Sequence, residues 1–537
     1  MSAQQHITMK TTLLDTIKEQ NNTTNANTAN GAVTNKSSLS ECVDYFGLAG
    51  GLRSDPNKAV SLFSNAYAED PDAAMKILFY LRDIRQGQGE RRHFRKVWDW
   101  IMKPHLNISS SQLSDTRITA FQIPEFGRWD DLLRLVIHPA LSPYIEECVR
   151  NVLDRDLFNS EYNETITYEE GITLPIGYGD NEGDKPSPGD VTLLAKWMPS
   201  LTASNKDAKQ SAKDWCDRLN ITQKQYRKML KHLRSHLDVV EQKMCSKDWS
   251  KIDYNRVPSQ AMLRLRKAFS KNDEKRYESY LDSLERGEMD VKAGTLYPYQ
   301  LVEKVLGYCP LSAKETQLIN AQWRALPEYT DKKQNILTVC DVSGSMTSTF
   351  GGVRPLDVAV SLTMYLASRC TNPLWANKFI TFSDDPELVS INPNETMSKQ
   401  ANGIIGTNWG MNTNIQRTFD VILHAADING TTEMPDTIMI ISDMEFDHCS
   451  GKTNFQEIDE KFAMRKLKRP NLVFWNVNAS GSDNNVPVTV NDQGVALVSG
   501  FSPSIMQMCF SGDLSPESCL REIVLDNPRY VRISVQA

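Results

Sequence analysis

The amino-acid sequence predicts two fold classes in succession, an all-α helical-repeat region and then an α/β doubly wound, Rossmann-like domain. Up to about residue 330, apolar residues recur at intervals of three and four, and strand signals are scarce. After about residue 333, short apolar segments alternate with helical patterns, which is typical of a parallel sheet covered on both faces. We therefore predict an arm over 1–40, a helical region over 41–330 and an α/β domain over 333–537.

The predicted arm contains the run NNTTNANTANGAVTNKSS, which is polar and poor in large apolar side chains. Such a segment buries too little apolar surface to offset the entropy lost when it becomes ordered. We therefore expect residues 1–40 to be disordered.

The helical region shows apolar stripes at helical spacing. DAAMKILFYLRDI (72–84) and RRHFRKVWDWIMK (91–103) each place apolar residues on one side of a helix. The short connections favour stacked helical hairpins of the solenoid type. Residues 159–190 interrupt the pattern, because they are acidic and rich in Gly and Pro, and we predict a long surface loop there.

The α/β region contains a regular alternation of strand and helix candidates. The strand candidates are NILTVC (335–340), KFITF (378–382), TIMIIS (437–442), LVFWNV (472–477) and VALVSG (495–500). The helix candidates are PLDVAVSLTMYLASR (355–369), NIQRTFDVILHAAD (414–427), EIDEKFAMRKLK (457–468) and PSIMQMCF (503–510). We expect the helix SPESCLREIVL and the strand-like YVRISV to close the chain.

Composition and charge limit the possible classes of protein. A chain of 537 residues is too long for one core. The net charge of −7 argues against wholesale coating by nucleic acid, but it permits a local basic surface. There is no apolar run of about 18 residues, no signal pattern and no C-x-x-C pair among ten scattered cysteines. We expect a soluble, cytoplasmic protein without a membrane partner, and its oligomeric state stays open.

The run ILTVCDVSGSM (336–346) places three oxygen-bearing side chains directly after an apolar strand. Asp341, Ser343 and Ser345 alternate along the chain, so in an extended segment they leave on the same side. A carboxylate and two hydroxyls are ligands that suit Mg²⁺, or alternatively Mn²⁺ or Ca²⁺. The position also fits, because open α/β sheets bind ligands outside the carboxyl ends of their strands. The alternative is that the two serines only cap the following helix.

Further oxygen ligands are predicted at the ends of other elements. Asp443 directly follows the strand TIMIIS, and Thr413 precedes a helix that starts near residue 414. Thr407 competes with Thr413 for the same role. Glu445 and Asp447 are expected to be solvated loop acids. The full predicted metal set is Asp341, Ser343, Ser345, Thr413 and Asp443.

These residues and their order resemble the metal-ion-dependent adhesion site of von Willebrand factor A domains. The resemblance covers about 200 residues. It implies that the two serines and the threonine touch the metal, while the aspartates hold it directly or through water. It also implies that a protein partner offers a carboxylate to complete the coordination shell. The sequence departs from the family at Thr413, whose loop reads MNTN where many relatives have Gly-Gly-Thr.

Four motifs in the helical region resemble the DUF2828 family. They are GQGERRHFRKVW (87–98), IPEFGRWDDLL (123–133), VTLLAKWMPS (191–200) and AGTLYPYQLVEKVL (293–306). Members of that family join such a region to a von Willebrand A-like domain. By domain order, the architecture is similar to the TROVE-domain proteins of the Ro ribonucleoprotein. There, HEAT-like helical repeats bind structured RNA, so the resemblance implies RNA as a partner.

The segment 221–277 is locally basic, with fifteen Lys and Arg against six Asp and Glu. Such a local field suits phosphates. Tyr226, Trp249, Tyr254 and Tyr277 lie among the cations and could stack on bases. The alternative is an ordinary solvated helix face with its aromatic residues in the core. The predicted RNA-binding residues are Arg227, Lys228, Lys231, Arg234, Arg264, Arg266 and Lys267.

Three functional classes compete. The first is a non-enzymatic scaffold that binds RNA or a ribonucleoprotein and docks a partner through the metal. The second is a protein-interaction adaptor without RNA. The third, a metal-dependent phosphohydrolase, is the weakest, because no base accompanies Asp341 and no H-E-x-x-H, G-x-S-x-G or P-loop motif is present. We therefore expect that the protein is not an enzyme.

Overall fold

The computed structural model describes most of the chain, in two compact units. The described residues are 25–28, 33–103, 119–160, 191–237, 239–330, 335–348, 352–383, 385–407, 414–430, 433–444, 446, 454–479, 486–487, 492–502, 505–506 and 514–535. Unit 1 comprises 1–97, 258–266 and 278–533, and unit 2 comprises 98–257, 267–277 and 534–537. This division does not follow the sequence boundary near residue 330, because the first helices belong with the sheet.

Helices dominate the first 324 residues. They are α1 (Glu41–Ala49), α2 (Pro56–Glu69), α3 (Pro71–Arg82), α4 (Arg92–Ile101), α5 (Ile123–Phe126), α6 (Trp129–Leu133), α7 (Ser142–Asn159), α8 (Leu194–Trp197), α9 (Lys206–Arg218), α10 (Gln223–His236), α11 (Val240–Cys245), α12 (Ser259–Asn272), α13 (Glu274–Glu285), α14 (Pro298–Val305) and α15 (Ala313–Arg324). Those after residue 350 are α16 (Pro355–Ala367), α17 (Met397–Ile405), α18 (Ile415–Ile428), α19 (Asn454–Met464) and α20 (Pro516–Leu520).

The strands form a hairpin and one larger sheet. The hairpin consists of β1 (Asn25–Asn27) and β2 (Val33–Asn35). The sheet contains β3 (Ile336–Asp341), β4 (Lys378–Phe382), β5 (Leu388–Ser390), β6 (Thr437–Ser442), β7 (Asn471–Asn476) and β8 (Val495–Ser499), in the order β5-β4-β3-β6-β7-β8. The predicted strands are confirmed to within one residue at their starts. The sequence missed β5, whose antiparallel pairing with β4 makes the sheet mixed.

Sequence signals at the helix starts explain why α2 and α3 begin where they do. Asp55 and Asp70 accept hydrogen bonds from backbone N–H groups of the first turn, and a proline occupies the next position in each helix. Carboxylate caps satisfy otherwise unpaired donors, and proline fits the first helical position because its missing N–H is not needed there. The predicted helix over 72–84 is thus confirmed as Pro71–Arg82.

The N-terminal helices of unit 1 pack directly against the sheet. Gly50, which follows α1, donates its N–H to Ser499 Oγ at 3.0 Å. A Cβ at this glycine would lie 2.5 Å from the carbonyl oxygen of Ser499, so the close approach requires glycine. The buried Gln88 accepts the N–H groups of Phe501 and Ser502 at 3.2 Å each. Gln88, in the motif GQGERRHFRKVW, therefore connects the segment after α3 to the residues that follow β8.

Part of the predicted disordered arm is ordered, and the prediction is wrong for these residues. Besides the β1–β2 hairpin, Asn35 and Val486 exchange backbone hydrogen bonds of 3.1 Å. Thr34 Oγ1 also donates to the Val486 carbonyl at 3.1 Å, and the Ser38 N–H donates to Asp44 Oδ1 at 2.7 Å. The low apolar content of the arm led us to expect disorder. Hydrogen bonds to a distant segment hold these residues in place instead. Residues 1–24 of the arm lie outside the described part.

The strand-like YVRISV does not form a strand; residues 528–532 form turns instead. Its side chains are used elsewhere. Tyr530 donates its hydroxyl to Asp83 Oδ2 at 2.9 Å, and Arg529 forms an ion pair with the same buried carboxylate. Burying a carboxylate is costly unless it has such partners. These contacts to Asp83 therefore outweigh the local preference of the segment for a strand.

Unit 2 is helical throughout its described residues. Its core includes Val149, Leu153, Trp215, Tyr226 and Leu233, all of which are buried. At the end of α7, Asp156 accepts the N–H and the hydroxyl of Thr192 at 3.1 and 2.6 Å. These bonds close the base of the predicted loop over 159–190, of which 161–190 lie outside the described residues. No described helix of the chain is both long and apolar enough to cross a membrane.

Candidate metal centre and candidate nucleic-acid interface

Two of the predicted metal ligands lie side by side at one edge of the sheet. Strands β3 and β6 are parallel neighbours, with Cys340 opposite Ile441. Asp341 ends β3, and Asp443 directly follows β6. Their exposed fractions are 0% and 5%. Because parallel strands end at the same edge, both carboxylates lie at the carboxyl end of the central strand pair, as the sequence predicted.

The Asp341 carboxylate is held on both of its oxygens. The backbone N–H of Ser343 donates to Oδ1 at 2.9 Å. The hydroxyl of Ser442, the last residue of β6, donates to Oδ2 at 2.6 Å. Two hydrogen bonds from different residues fix the orientation of a carboxylate. The sheet therefore presents a fixed, buried carboxylate.

The two serine hydroxyls of the triplet meet each other. Ser343 Oγ and Ser345 Oγ are 3.0 Å apart. That separation suits a hydrogen bond, and it is also close to the edge, about 3.0 Å, of an octahedron with metal–oxygen bonds of about 2.1 Å.

The capping alternative for these serines finds no support in the hydrogen bonds. A single 3-10 turn, Gly344–Thr347, follows Ser343, and the Ser343 side chain makes no capping bond to it. Ser343 is 4% exposed, whereas Ser345 is exposed. One hydroxyl thus lies inside the protein and the other at its surface, which is the arrangement that a ligand approaching from solvent requires.

The turn after β6 brings Asp443 into place. Ser442 Oγ, besides donating to Asp341, accepts the N–H of Met444 at 3.0 Å. Met444 has φ +65°, in the left-handed region, and is 1% exposed. A non-glycine residue is strained there, and the strain persists only where the surroundings over-determine the conformation. Asp443 is therefore carried on a tight turn that Ser442 closes.

The fifth predicted ligand, Thr413, lies outside the described residues, as do the loop acids Glu445 and Asp447. Thr407 is described, and its hydroxyl donates to the Ile404 carbonyl at 2.7 Å at the end of α17. Within the described ranges no three His, Cys, Asp or Glu side chains form a metal-binding cluster. The five-residue metal set thus stays a prediction, based on two carboxylates and two hydroxyls that the fold places together or nearby.

Sequence reasoning missed two serines at the same edge. One is Ser442. The other is Ser383, which follows β4, where Phe382 pairs with Asp341. Ser383 is 1% exposed, and its hydroxyl has no hydrogen-bond partner among the described residues. Both serines carried the same signal in the sequence. Each lies at the end of a strand or directly after it, and each is followed by an aspartate.

Helix α10 carries the densest group of predicted RNA-binding residues. Gln223–His236 contains no Asp or Glu. Its buried side is formed by Tyr226, Met229, Leu230 and Leu233. The cations on the opposite side are exposed to solvent: Lys224, Arg227, Lys228 and Lys231. In a chain with net charge −7, this helix thus carries four exposed cations and no acid of its own.

Arg234 does not belong to that exposed face. Its guanidinium donates to the carbonyls of Ala195 and Met198 and to Ser200 Oγ, each at 2.8 Å. Burial lowers the pKa of Arg234 from its usual value, while the guanidinium still pairs with carbonyl oxygens. Helical spacing predicted an RNA contact here, but the structure gives the side chain a packing role between α10 and the end of α8.

The aromatic residues proposed to stack on bases are mostly buried. Tyr226, Tyr254 and Tyr277 have exposed fractions of 0%, 5% and 2%. Tyr226 donates its hydroxyl to the Pro199 carbonyl at 2.8 Å, and Tyr254 packs against Tyr277 and Phe269. The stacking prediction is wrong for these three, because the same apolar spacing that marks a helix face buries them.

The remaining basic residues lie on α12. Arg264 and Lys267 are exposed, whereas Arg266 forms an ion pair with Glu315 at 3.0 Å. Arg264 and Arg266 belong to unit 1, and Lys267 belongs to unit 2 with α10. Only the α10 residues therefore form a single described surface.

Comparison with known families assigns the chain. The DUF2828 family model, a domain of unknown function, matches residues 28–168 and 192–335. A second domain of unknown function, DUF7788, matches residues 335–524. The chain therefore belongs to the DUF2828 family, as the four sequence motifs predicted. Both sites described above lie in matched segments.

Two individual proteins are similar to the chain. The chain is 30% identical over 525 residues to uncharacterized protein L728 of Acanthamoeba polyphaga mimivirus, covering 93% of this chain and 86% of the relative. Among solved structures, the Ro (RSR) protein of Deinococcus radiodurans matches over 87% of this chain and 96% of that one, with 14% identity and a TM-score of 0.38. At that TM-score the likeness carries no argument about function.

Proposed function

We propose that the protein is a non-enzymatic binding protein with two contact sites. The loops at the carboxyl end of the sheet hold Mg²⁺ in a von Willebrand A-like domain and dock the carboxylate of a protein partner. The exposed face of α10 binds the phosphates of structured RNA. The two activities rest on different residues and can be tested separately.

The arrangement around Asp341 is the observation that carries the proposal. A buried carboxylate with both oxygens hydrogen-bonded, next to two hydroxyls 3.0 Å apart, is a ready-made set of oxygen donors. Ser343 and Ser345 would touch the ion, Asp341 and Asp443 would balance its charge, and Thr413 would complete the protein's share. When bound, Mg²⁺ supplies a positively charged position that a partner's carboxylate can fill.

The absence of acids from α10 supports RNA as the second partner. Lys224, Arg227, Lys228 and Lys231 are exposed on one helix face, and α10 itself contains no Asp or Glu. Phosphates release counterions when such cations bind them, so this binding is strong at low salt and weakens as salt rises. Because the neighbouring tyrosines are buried, we expect backbone recognition rather than base stacking.

Two alternatives make different predictions. An adaptor without RNA would use the α10 face for an acidic protein, and nuclease treatment would then leave its complexes intact. A metal-dependent phosphohydrolase would turn over phosphoester substrates, and Asp341→Ala would abolish the turnover. We rank the hydrolase last, because the sequence contains no H-E-x-x-H, G-x-S-x-G or P-loop motif.

RNA binding is tested with purified protein and a fluorescent, structured RNA. We expect the measured affinity to fall steeply between low and physiological salt. We also expect the purified protein to carry nuclease-sensitive material with a raised 260/280 nm absorbance ratio. An absence of binding even at low salt would remove the RNA assignment and favour the adaptor.

Metal binding is tested by titrating Mg²⁺ and Mn²⁺ into the metal-free protein and into Asp341→Ala by calorimetry. The wild-type protein should bind one ion and the variant none. Equal heats for the two proteins would refute the metal site. Wild-type binding of Ca²⁺ in preference to Mg²⁺ would show that Mg²⁺ is the wrong ion.

A further inference from the structure

A single hydroxyl group connects the two loops that carry carboxylates. Ser442 Oγ donates its proton to Asp341 Oδ2 at 2.6 Å and accepts the N–H of Met444 at 3.0 Å. Asp341 ends β3, and Asp443 lies between Ser442 and Met444. The same oxygen therefore orients one carboxylate and closes the turn that holds the other.

We propose that Ser442 is a positioning residue for divalent-cation binding, which sets both carboxylates without touching the ion. The inference rests on the metal site proposed above and deepens it. Ser442 is fully buried and belongs to the central strand β6, so rigid backbone holds its hydroxyl in place. Rigid support of this kind is what keeps metal ligands in a binding geometry.

The hydrogen-bond directions allow one arrangement of protons around this oxygen. The hydroxyl has one proton, and the backbone N–H of Met444 can only donate, so the Ser442 oxygen must accept there. The hydroxyl proton therefore lies toward Asp341, which leaves an oxygen lone pair for the Met444 N–H. Met444 is strained at φ +65°, and its hydrogen bond to Ser442 offsets part of that strain.

Removing the hydroxyl should thus disturb both loops together. In Ser442→Ala, Asp341 loses the donor to Oδ2 and the Met444 N–H loses its acceptor. Alterations to groups that orient metal ligands commonly weaken metal affinity about 10- to 100-fold. We expect Mg²⁺ affinity to fall by that factor, while Ser442→Thr, which keeps a hydroxyl, stays within about threefold of wild type.

The experiment measures Mg²⁺ affinity by calorimetry and amide hydrogen exchange at Met444 in metal-free protein. Ser442→Cys, similar in size but a weaker donor, replaces the alanine variant if that one fails to fold. Ser361→Ala is the control, because Ser361 is a fully buried serine of unit 1 whose hydroxyl bonds within α16 to the Val358 carbonyl at 2.8 Å. We expect faster Met444 exchange in Ser442→Ala and no change in the control.

The outcomes separate this inference from the metal site itself. If wild type binds Mg²⁺ and Ser442→Ala binds it equally well, the positioning role is wrong and the metal site stands. If wild type does not bind Mg²⁺ or Mn²⁺, the metal site is wrong. In that case, unchanged Met444 exchange in Ser442→Ala would also remove the structural link between the loops. If Ser442→Ala loses as much free energy of unfolding as Ser361→Ala but keeps its metal affinity, the role of Ser442 is only structural.

Discussion

The two candidate sites differ in how the protein holds their polar groups. At the end of the sheet, Asp341 is buried and bonded to Ser343 and Ser442, so its position is set by hydrogen bonds. On α10, Arg227, Lys228 and Lys231 project into solvent from a helix whose other side forms the contact with the core. The Asp341 carboxylate is thus held in one orientation by the protein, whereas the cations of α10 contribute charge and little geometry.

This difference predicts different kinds of specificity. Preorganised oxygens can select an ion by its size and coordination number. Exposed lysines and arginines have flexible side chains, so they can bind any closely spaced phosphates. Salt ions compete with the phosphates for this binding. Substitutions at the sheet should therefore act on one ligand and resist salt, while substitutions on α10 should change the response to salt.

The largest effect is expected for Asp341→Asn, which keeps the shape of the side chain but removes its charge. An ion whose free concentration is 100 times its Kd stabilises the folded protein that binds it by about 2.7 kcal/mol. We expect wild type to gain that amount in Mg²⁺ and the variant to gain nothing, measured by chemical denaturation with and without the ion. Asp526→Asn removes the same charge from an exposed position of unit 1 and should behave as wild type. A gain in Asp341→Asn would place the ion elsewhere.

The next effect is expected for the triple variant Arg227→Glu, Lys228→Glu and Lys231→Glu. Losing three cations should lower RNA affinity about 100-fold at low salt and reduce the slope of log affinity against log salt by roughly two.

The matched control is Lys206→Glu, Lys209→Glu and Lys213→Glu on α9, where the three lysines are also exposed. These carry the same change in net charge within unit 2. Equal losses in the two triple variants would mean that affinity follows total charge and not the α10 face.

A smaller effect, on folding alone, is expected for Arg234→Ala. Its three hydrogen bonds to Ala195, Met198 and Ser200 disappear, and we expect the free energy of unfolding to fall by about 2 kcal/mol. RNA affinity of the folded protein should not change. Arg227→Ala, on the exposed face, should leave stability within about 0.5 kcal/mol. Lost RNA affinity without lost stability in Arg234→Ala would return this residue to the binding surface.

The smallest effect is expected for Ser345→Ala. This exposed hydroxyl supplies one oxygen to the proposed ion, so its loss should weaken Mg²⁺ binding about tenfold and change stability by less than about 0.5 kcal/mol. Ser348→Ala, also exposed and three residues away, serves as the control in the same titration. Unchanged affinity in Ser345→Ala would exclude this serine from the ion's coordination shell.

Much of the fold could be predicted from sequence because its signals are local. Continuous apolar runs identified β3, β4, β6, β7 and β8, since these strands are covered on both faces. The misses have non-local causes. The three-residue β5 has too little sequence to show a pattern, and the order at Asn35 comes from its bonds to Val486. The helices before residue 97 belong with the sheet through contacts such as Gly50 to Ser499, which no periodicity reveals.

The candidate sites show the same limit. Spacing alone placed Asp341, Ser343 and Asp443 at strand ends, where they are found. Spacing also predicted Arg234 on the basic face, but its guanidinium donates hydrogen bonds to the carbonyls of Ala195 and Met198 at α8. The role of Ser442 depends on the pairing of β3 with β6, because Ser442 and its partner Asp341 are 101 residues apart in the sequence. Such partners become visible only in the folded chain.

The contact between Gly50 and Ser499 spans 449 residues and has a consequence for synthesis. Ribosomes add about 5–20 residues per second, so α1 waits roughly 20–90 s before β8 exists. During that time the buried face of α1, including Val43, Phe46 and Leu48, has no partner strand. Most of unit 2, over 98–257, is complete much earlier. Helix α1 can pack against α2 as soon as that helix is made, but its contact with β8 forms only after Ser499 has been added.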